Sequence, residues 1–337
     1  MAEYEGVMIF GEVREGKLAA VTTELLGCGR NLADALGQEL YCLLVGNDMT
    51  SLAGEAIAYG ADRVYVVDTP PMKDYDTDLY LSVSEKVARQ VMPRIVLFGQ
   101  TAIGRDLGPC LAFRLGTAIS TDCVELAIEP GSKLLLQTKP VYGDNARATF
   151  TCESYPQMAT VRARVMSSPE RDGSREGQII NVEASLDPPA VRTKVIKRVV
   201  EESTGIKLED ANVVVCGGRG IGSAEGFKKL EKLAETLKGA VGASRPPCDN
   251  GWVPNNLLVG LTGKIIAPDL YIAVALSGSS QHMTGCSGAR NIVAINKDPE
   301  ANIFKGATLG VVGDWEELLP VLTNKIEELM AGRKRDR

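Results

Sequence analysis

Histidine is almost missing from this chain: His282 is the only one in 337 residues. It is the side chain that most readily moves a proton near neutral pH, so a mechanism of repeated acid–base steps has little to draw on. Cysteine occurs eight times but never in a short pair. No two of Cys28, Cys42, Cys110, Cys123, Cys152, Cys216, Cys248 and Cys286 lie closer than 13 residues. That spacing excludes a C-x-x-C redox pair, a zinc knuckle and an iron–sulfur run, and points to reduced, mostly buried thiols. Positive charge is not in excess either: 37 Lys and Arg face 43 Asp and Glu, a net charge of -6. A general nucleic-acid binder needs a basic surface, so no nucleic-acid partner is expected. The basic end, Arg333, Lys334, Arg335 and Arg337, reads as a solvated tail. No apolar run approaches the ~20 residues of a membrane span. The acidic start "MAEYEG" leads straight into "VMIFGEV", without the pattern of a signal or transit peptide. The expectation is a cytoplasmic, soluble protein with no membrane partner.

The length suggests about two domains. In the first half, "VMIFGEV", "LYCLLVG", "RVYVVD" and "RIVLFG" are short runs rich in Val, Ile and Leu. Such runs suit strands buried on both faces. Helical stretches separate them at about 22–36, 51–58 and 78–92. This alternation predicts a parallel sheet covered on both sides. After Thr117 come "KLLLQTKPVY", "ARATFTCES" and "QMATVRARVM", which together read as an antiparallel extension of the same α/β domain. The polar segment 167–177 reads as an exposed loop. "ESTGIKLEDA" reads as the interdomain joint, giving domains 1–202 and 203–337. A second alternation follows: "NVVVCGG", a helix at 224–238, "AVGASR", "LYIAVALS", "NIVAINKD", "LGVVGD" and a last helix to about Met330. It predicts a Rossmann-like parallel sheet.

In this second domain each strand runs into a loop of small or polar residues. The loops are "GGRGIGS", "ASRPPCDNGW", "GLTGK", "SGSSQH", "NKDPEANIF" and "GDW". One Gly-rich turn is an ordinary way to leave a strand. Several on one edge of a parallel sheet point to an extended, phosphate-bearing ligand, because small residues let backbone N–H groups come close. "GGRGIGS" is not the dinucleotide fingerprint, since the third glycine position falls on Ser223. The second strand ends in Ser244 and Arg245, where a nicotinamide ribose wants an acid. A flavin or a 2′-phosphorylated nucleotide is therefore easier to accommodate than NAD. No Walker A, H-E-x-x-H or G-x-S-x-G motif is present.

Four blocks carry a family resemblance: "VCGGRGIGS", "GASRPPCDNGWVP", "VGLTGKIIAPDLYIAVALSGSSQHMTGC" and "IVAINKDPEANIFKGATLGVVGDWEELLP". Over residues 212–330 their order and spacing resemble the FAD domain of electron transfer flavoprotein alpha subunits. "GQTAIGRDLGPCLAFRLGTAISTDCVEL" is similar to the family's "GRDLAPRLAARL" signature in the first domain. The resemblance implies FAD as cofactor and a beta subunit as heterodimer partner. It implies an electron carrier, with an acyl-CoA dehydrogenase-like or other flavin dehydrogenase as donor and a link to fatty acid oxidation. An electron-bifurcating complex, with ferredoxin and NADH as further partners, stays open beside the simple shuttle.

By matching position, the family's FAD contacts fall on Arg219, Ser244, Arg245, Val259, Gly260, Leu261, Thr262, Ser277, Gly278, Ser279, Ser280, Gln281, His282, Asn296, Asp314 and Trp315. The pattern puts Arg245 and His282 beside the flavin ring, with Thr262 near its N5. It gives Arg219, Ser244 and Asn296, with Asp314 nearby, to the pyrophosphate and adenosine part. Two positions depart from the family: "VGQTG" is "VGLTG" here, placing Leu261 near the flavin, and "SGAIQH" is "SGSSQH". On this reading the His282 imidazole donates to the flavin's pyrimidine side and titrates near neutrality unless burial depresses it.

Bland readings stand beside these. His282 suits a packing residue at a strand-to-helix turn, Arg245 a surface cation held by Asp249, and Asp314 an N-cap before Trp315. A His282–Cys286 nucleophile pair lacks a third, orienting group. "GRDLGPCLAFRLG" reads as a strand-to-helix turn at the subunit interface. Two other function classes remain: a stand-alone flavin- or NADP-dependent oxidoreductase, and a nucleotide sensor that binds only the adenosine part.

Overall fold

The computed structural model describes residues 4–142, 146–183, 193, 195–197 and 206–333. The chain divides into two compact units, Met1–Val141 with Asn145–Val199 and Tyr142–Asp144 with Val200–Arg337. The boundary expected at 202/203 lies outside the described residues, as does the basic tail beyond Arg333.

The first unit runs β1 (Val7–Gly11), β2 (Val13–Arg14), β3 (Lys17–Leu18), α1 (Ala20–Leu36), β4 (Leu40–Gly46), α2 (Thr50–Ala58) and β5 (Arg63–Asp68). It continues with α3 (Thr77–Val91), β6 (Ile95–Gly99), α4 (Ala102–Leu115), β7 (Ile119–Cys123), β8 (Glu125–Ile128), β9 (Leu135–Val141), β10 (Ala146–Phe150), β11 (Gln157–Val161) and β12 (Gln178–Asn181). Seven strands form a parallel sheet in the order β12-β5-β4-β1-β6-β11-β7. Its central strands are buried along their whole length, as the apolar runs demand. Helix starts follow local chemistry: Asp76 accepts from Leu79 N at the head of α3, and Thr101 from Gly104 N at the head of α4.

Two expectations for this unit need correction. Of the three pieces read as one antiparallel extension, only β9 and β10 belong to it, together with β8. "QMATV" instead enters the main sheet as β11, parallel between β6 and β7. Its five buried residues need cover on both faces, which a solvated antiparallel ribbon does not provide. The "GRDLGPCLAFRLG" segment is the body of α4, not a turn. Leu107 and Leu111 face the core, and Phe113 stands 84% exposed.

The second unit runs β13 (Val213–Gly217), α5 (Ala224–Thr236), β14 (Ala240–Ala243), α6 (Arg245–Asp249), β15 (Leu270–Val274), α7 (Ser280–Met283), β16 (Ile292–Asn296), β17 (Leu309–Val312) and α8 (Trp315–Arg333). The sheet is wholly parallel, ordered β14-β13-β15-β16-β17. Numbered from β13, this is the order 2-1-3-4-5, which reverses direction between β13 and β15. A crevice opens at the carboxyl ends of such a pair, because successive crossovers leave on opposite faces. Apolar layers cover both faces of the sheet: Tyr271, Cys286 and Ile303 on one, Phe227, Leu230 and Trp315 on the other.

None of the eight cysteines is in a disulfide: Cys28, Cys42, Cys123, Cys216, Cys248 and Cys286 are buried, Cys110 and Cys152 partly so. Burial pushes the Cys28 thiol up to about 12 and Cys123 to about 11. Among the described residues no helix is long and apolar enough to cross a membrane. No group of His, Cys, Asp and Glu there is placed to hold a metal ion.

Candidate functional site

A cavity of about 770 Å³ opens at the carboxyl edge of the second sheet. Each wall follows from a strand end. Arg219 and Gly220 leave β13, Ser244 and Arg245 leave β14, Ala275 to Ser279 leave β15, and Asn296 to Asn302 leave β16. The segment 258–262 closes one side, hung on β14 by Val259 N donating to Ala243 O at 2.9 Å.

Close backbone approach shapes these walls. Gly278 has φ +75°, and a methyl group there would come within 2.3 Å of Ile303 N, where the loops after β15 and β16 meet. A Cβ on Gly285 would fall 2.3 Å from Gly260 N, so the 258–263 loop lies directly on the α7 turn. Leu261 N donates to Gln281 O at 2.7 Å and Ile266 N to Gly285 O at 2.8 Å, zipping the two together. Ala275 sits in the left-handed region at φ 52°, and Gly218 and Gly220 pack against it. Strain of this kind persists only where surrounding contacts enforce it, and it gathers at binding sites.

The expected residues divide as follows. Arg219, Ser244, Arg245, Val259, Gly260, Leu261, Thr262, Ser277, Gly278, Ser279, Gln281, His282 and Asn296 line this one cavity. Ser280, Asp314 and Trp315 do not. Ser280 is exposed at the start of α7. Asp314 accepts Glu316 N at 2.9 Å, the N-terminal contact that its position before α8 predicts. Trp315 is buried behind the β13 loop, and its Nε1 donates to Gly220 O at 3.1 Å. Both fall short because β17 is the far edge of the sheet and α8 turns back beneath it to pack on α5.

The sequence reading missed Asp249, Asp298, Glu300 and Asn302 as lining groups. For the last three the signal was present in "NKDPEAN", a polar loop at a strand end. Asp298 is held in place by its N–H to Asn296 Oδ1 and by Glu300 N donating to its own Oδ1, both at 3.0 Å. Asn296 Nδ2 donates to Leu276 O at 2.7 Å. Its amide therefore braces two loops with one of its two N–H groups and its oxygen.

The electrostatics are mixed. Arg219 makes no ion pair among the described residues, whereas Arg245 pairs with Asp249 at 3.3 Å with both side chains largely exposed. A pair so exposed contributes little to stability and can exchange partners. His282 differs from expectation. Its Nδ1 lies 3.0 Å from Val259 O and its Nε2 2.7 Å from Tyr271 OH, so neither ring nitrogen is left to donate to a ligand. Burial holds its pKa down at about 4, not near neutrality. Cys286 Sγ donates to His282 O at 3.7 Å and not to the ring, which excludes the thiol–imidazole pair.

Residues 7–187 match the electron transfer flavoprotein domain and residues 207–287 the electron transfer flavoprotein FAD-binding domain. The electron transfer flavoprotein subunit alpha of Thermoanaerobacterium thermosaccharolyticum is 43% identical over 98% of this chain and 100% of its own. The subunit alpha of Megasphaera elsdenii is 43% identical over 97% and 98%. The chain belongs to the electron transfer flavoprotein alpha-subunit family. Its cofactor is accordingly FAD, and the matched FAD-binding domain contributes most of the cavity wall. A further member, the acryloyl-CoA reductase electron transfer subunit beta of Anaerotignum propionicum, is 36% identical over 96% of each chain.

The cavity fits an extended dinucleotide of that kind. Its volume lies within the ~300–1,000 Å³ of small-molecule sites. The Arg219 guanidinium, without an ion pair among the described residues, the hydroxyls of Ser244, Thr262, Ser277 and Ser279, and closely approaching glycine backbone suit a pyrophosphate. The carboxylates of Asp298 and Glu300 suit sugar hydroxyls.

Proposed function

We propose that this chain binds FAD along the β13/β15 crevice and serves as the alpha subunit of a heterodimer that carries electrons from a flavin dehydrogenase to an acceptor. The observation that supports this most is the single cavity at the topological reversal of the sheet, walled by all of the strand-end loops except that after β17. Bound there, FAD supplies a group that takes up and releases electrons. The chain's own residues do the rest. Arg219 and Ser244 hold the pyrophosphate, and Asp298 and Glu300 accept from the ribose. Arg245 can leave its exposed pair with Asp249 and place a fixed cation where electrons add negative charge. Leu261, 52% exposed on the wall, covers part of the ring region without offering a hydrogen bond. His282 keeps the loops in register and holds no mobile proton for a substrate, which suits a carrier better than a substrate-converting enzyme.

A beta subunit is the proposed partner, and an acyl-CoA dehydrogenase-type flavoprotein the proposed donor. The name of the Anaerotignum propionicum relative, an acryloyl-CoA reductase electron transfer subunit, supports the latter. A cytoplasmic location belongs to the same proposal. Whether the heterodimer bifurcates electrons turns on a second flavin in the beta subunit. The deciding experiment is co-expression with the beta subunit and a count of flavin per heterodimer. One FAD per stoichiometric complex, with dye reduction dependent on a dehydrogenase, is the expected result for a simple shuttle. Two FADs per complex indicate bifurcation. A lone chain that keeps FAD through dialysis and oxidises a substrate unaided would overturn the carrier reading, and a colourless complex would overturn the cofactor site.

A further inference from the structure

One buried ring ties together three elements of the cavity wall. His282 belongs to α7, its Nδ1 meets Val259 O at 3.0 Å, and its Nε2 meets Tyr271 OH at 2.7 Å in β15. Val259 in turn hangs on the end of β14 through Ala243 O. The chemistry of these partners fixes the tautomer. A carbonyl oxygen only accepts, so Nδ1 carries the hydrogen; Nε2 is then a bare lone pair, and the Tyr271 hydroxyl donates to it. Protonating Nε2 would turn a second N–H onto a hydroxyl that must then find another acceptor. The groups around that hydroxyl are the thiols of Cys216 and Cys286, weak acceptors, and no charged group is among them. The environment therefore favours the neutral ring, in line with its burial.

Tyr271 is fully buried and does not line the cavity, so it acts on a ligand only through others. Backbone bonds from Leu261 to Gln281 and from Ile266 to Gly285 tie the same two loops at the surface. The Tyr271–His282–Val259 chain is the side-chain tie beneath them.

We propose that Tyr271 is a positioning residue of this site: by donating to Nε2 it holds His282 as a neutral Nδ1–H ring that clamps the 258–263 loop to α7 in the shape that receives FAD. The link to FAD rests on the cavity being the flavin site; the clamp itself does not.

Because the chain has one histidine, nitrogen-15 NMR of histidine-labelled full-length chain, mixed with unlabelled beta subunit, reads this ring alone. The expected wild-type spectrum shows a protonated Nδ1 and a bare Nε2, unchanged between pH 8 and about 5. Tyr271→Phe removes one hydroxyl. The Val259 carbonyl keeps the hydrogen on Nδ1, so its expected signature is an Nε2 resonance moved to that of a lone pair without a donor, faster amide exchange at Leu261, and an FAD dissociation constant raised about tenfold with cooperative unfolding retained. Should that variant not fold, His282→Phe severs both polar contacts from the other end and is expected to give the same exchange and affinity changes. A wild-type ring protonated on Nε2 would overturn the proposal. So would an FAD affinity within about twofold of wild type in Tyr271→Phe once its Nε2 resonance shows the bond lost. If the complex takes up no FAD while tautomer and exchange behave as expected, the clamp stands and the flavin assignment of the cavity fails.

Discussion

Leu261, at the position where the family resemblance implies a glutamine, is half exposed on the cavity wall and held by its backbone. Leu261→Gln should leave stability within about 0.5 kcal/mol, since nothing packs tightly over it. Its amide adds a hydrogen-bond partner near the ring, and spectroelectrochemical titration should find the flavin potential moved by some tens of mV. On that scale ~59 mV per electron is a tenfold change in equilibrium; an unmoved potential would mean that position 261 faces away from the ring. His282 leads to a pH prediction with the opposite sign to a salt-bridged histidine. Its pKa falls from an unfolded value of about 6.5 to about 4 in the folded chain. Stability is therefore full above about 6.5, erodes as the unfolded chain takes up a proton below it, and the loss is complete near pH 4. The difference amounts to roughly 3 kcal/mol. Urea titrations at pH 7, 6, 5 and 4 should show this slope in the wild type and its absence in His282→Gln. Glu12 and Glu24, whose desolvated carboxyls are pushed up, act in the other direction in both proteins and cancel in the comparison. For the same reason the flavin potential should show no slope from His282 between pH 6 and 8.

At the scale of the elements, the loops after β15 and β16 function as one piece. Gly278→Ala puts a methyl group into Ile303 N and a side chain into a left-handed conformation, so it should destabilise by at least ~2 kcal/mol and release FAD on dialysis. Retained flavin with an unchanged unfolding midpoint would show that the two loops separate freely. Trp315→Phe deletes the bond to Gly220 O behind the β13 loop, shrinks a buried core ring and loosens the Lys229 ammonium held 5.2 Å over it. It should cost about 1–3 kcal/mol and weaken FAD binding modestly, although Trp315 touches no part of the cavity. That residue also shows what a sequence can and cannot give. Most of the parallel strands were legible because they are apolar runs too hydrophobic for a one-sided sheet, as β4 and β15 illustrate, whereas the edge strands β7 and β12 are short and more polar. The cavity was legible because small residues cluster at strand ends. Helix α6 was hidden by two prolines, which its first turn tolerates since the N–H groups there lack partners anyway. β11 looked like its antiparallel neighbours because strand direction leaves no mark on a five-residue pattern. Asp314 and Trp315 lie outside the cavity wall because proximity in sequence to a strand end says nothing of how far that strand lies from the crevice. His282 lines the wall, and its hydrogen bonds run to Tyr271 and Val259, 11 and 23 residues away. No local pattern reports such partners.

For the whole molecule, the two units have separate cores, one pair of apolar clusters each. Calorimetry of the full chain should resolve two transitions, and saturating FAD should raise only the one belonging to the second unit. Ligand at about 100 times its dissociation constant adds roughly 2.7 kcal/mol to the state that binds it. A single transition that moves as a whole would mean that the units unfold together. The cysteines offer an independent measure of the same partition. Cys28, Cys42 and Cys123 are buried in the first unit, Cys216, Cys248 and Cys286 in the second, and only Cys110 and Cys152 reach the surface in part. A maleimide reagent should therefore tag the native protein slowly at two positions and leave six untouched until something opens. Each set of three is then a clock for one unit. Peptide mapping after timed exposure would give an opening rate for each half of the chain under native conditions. Added FAD should slow the clock at Cys216, Cys248 and Cys286 while the one at Cys28, Cys42 and Cys123 keeps its pace.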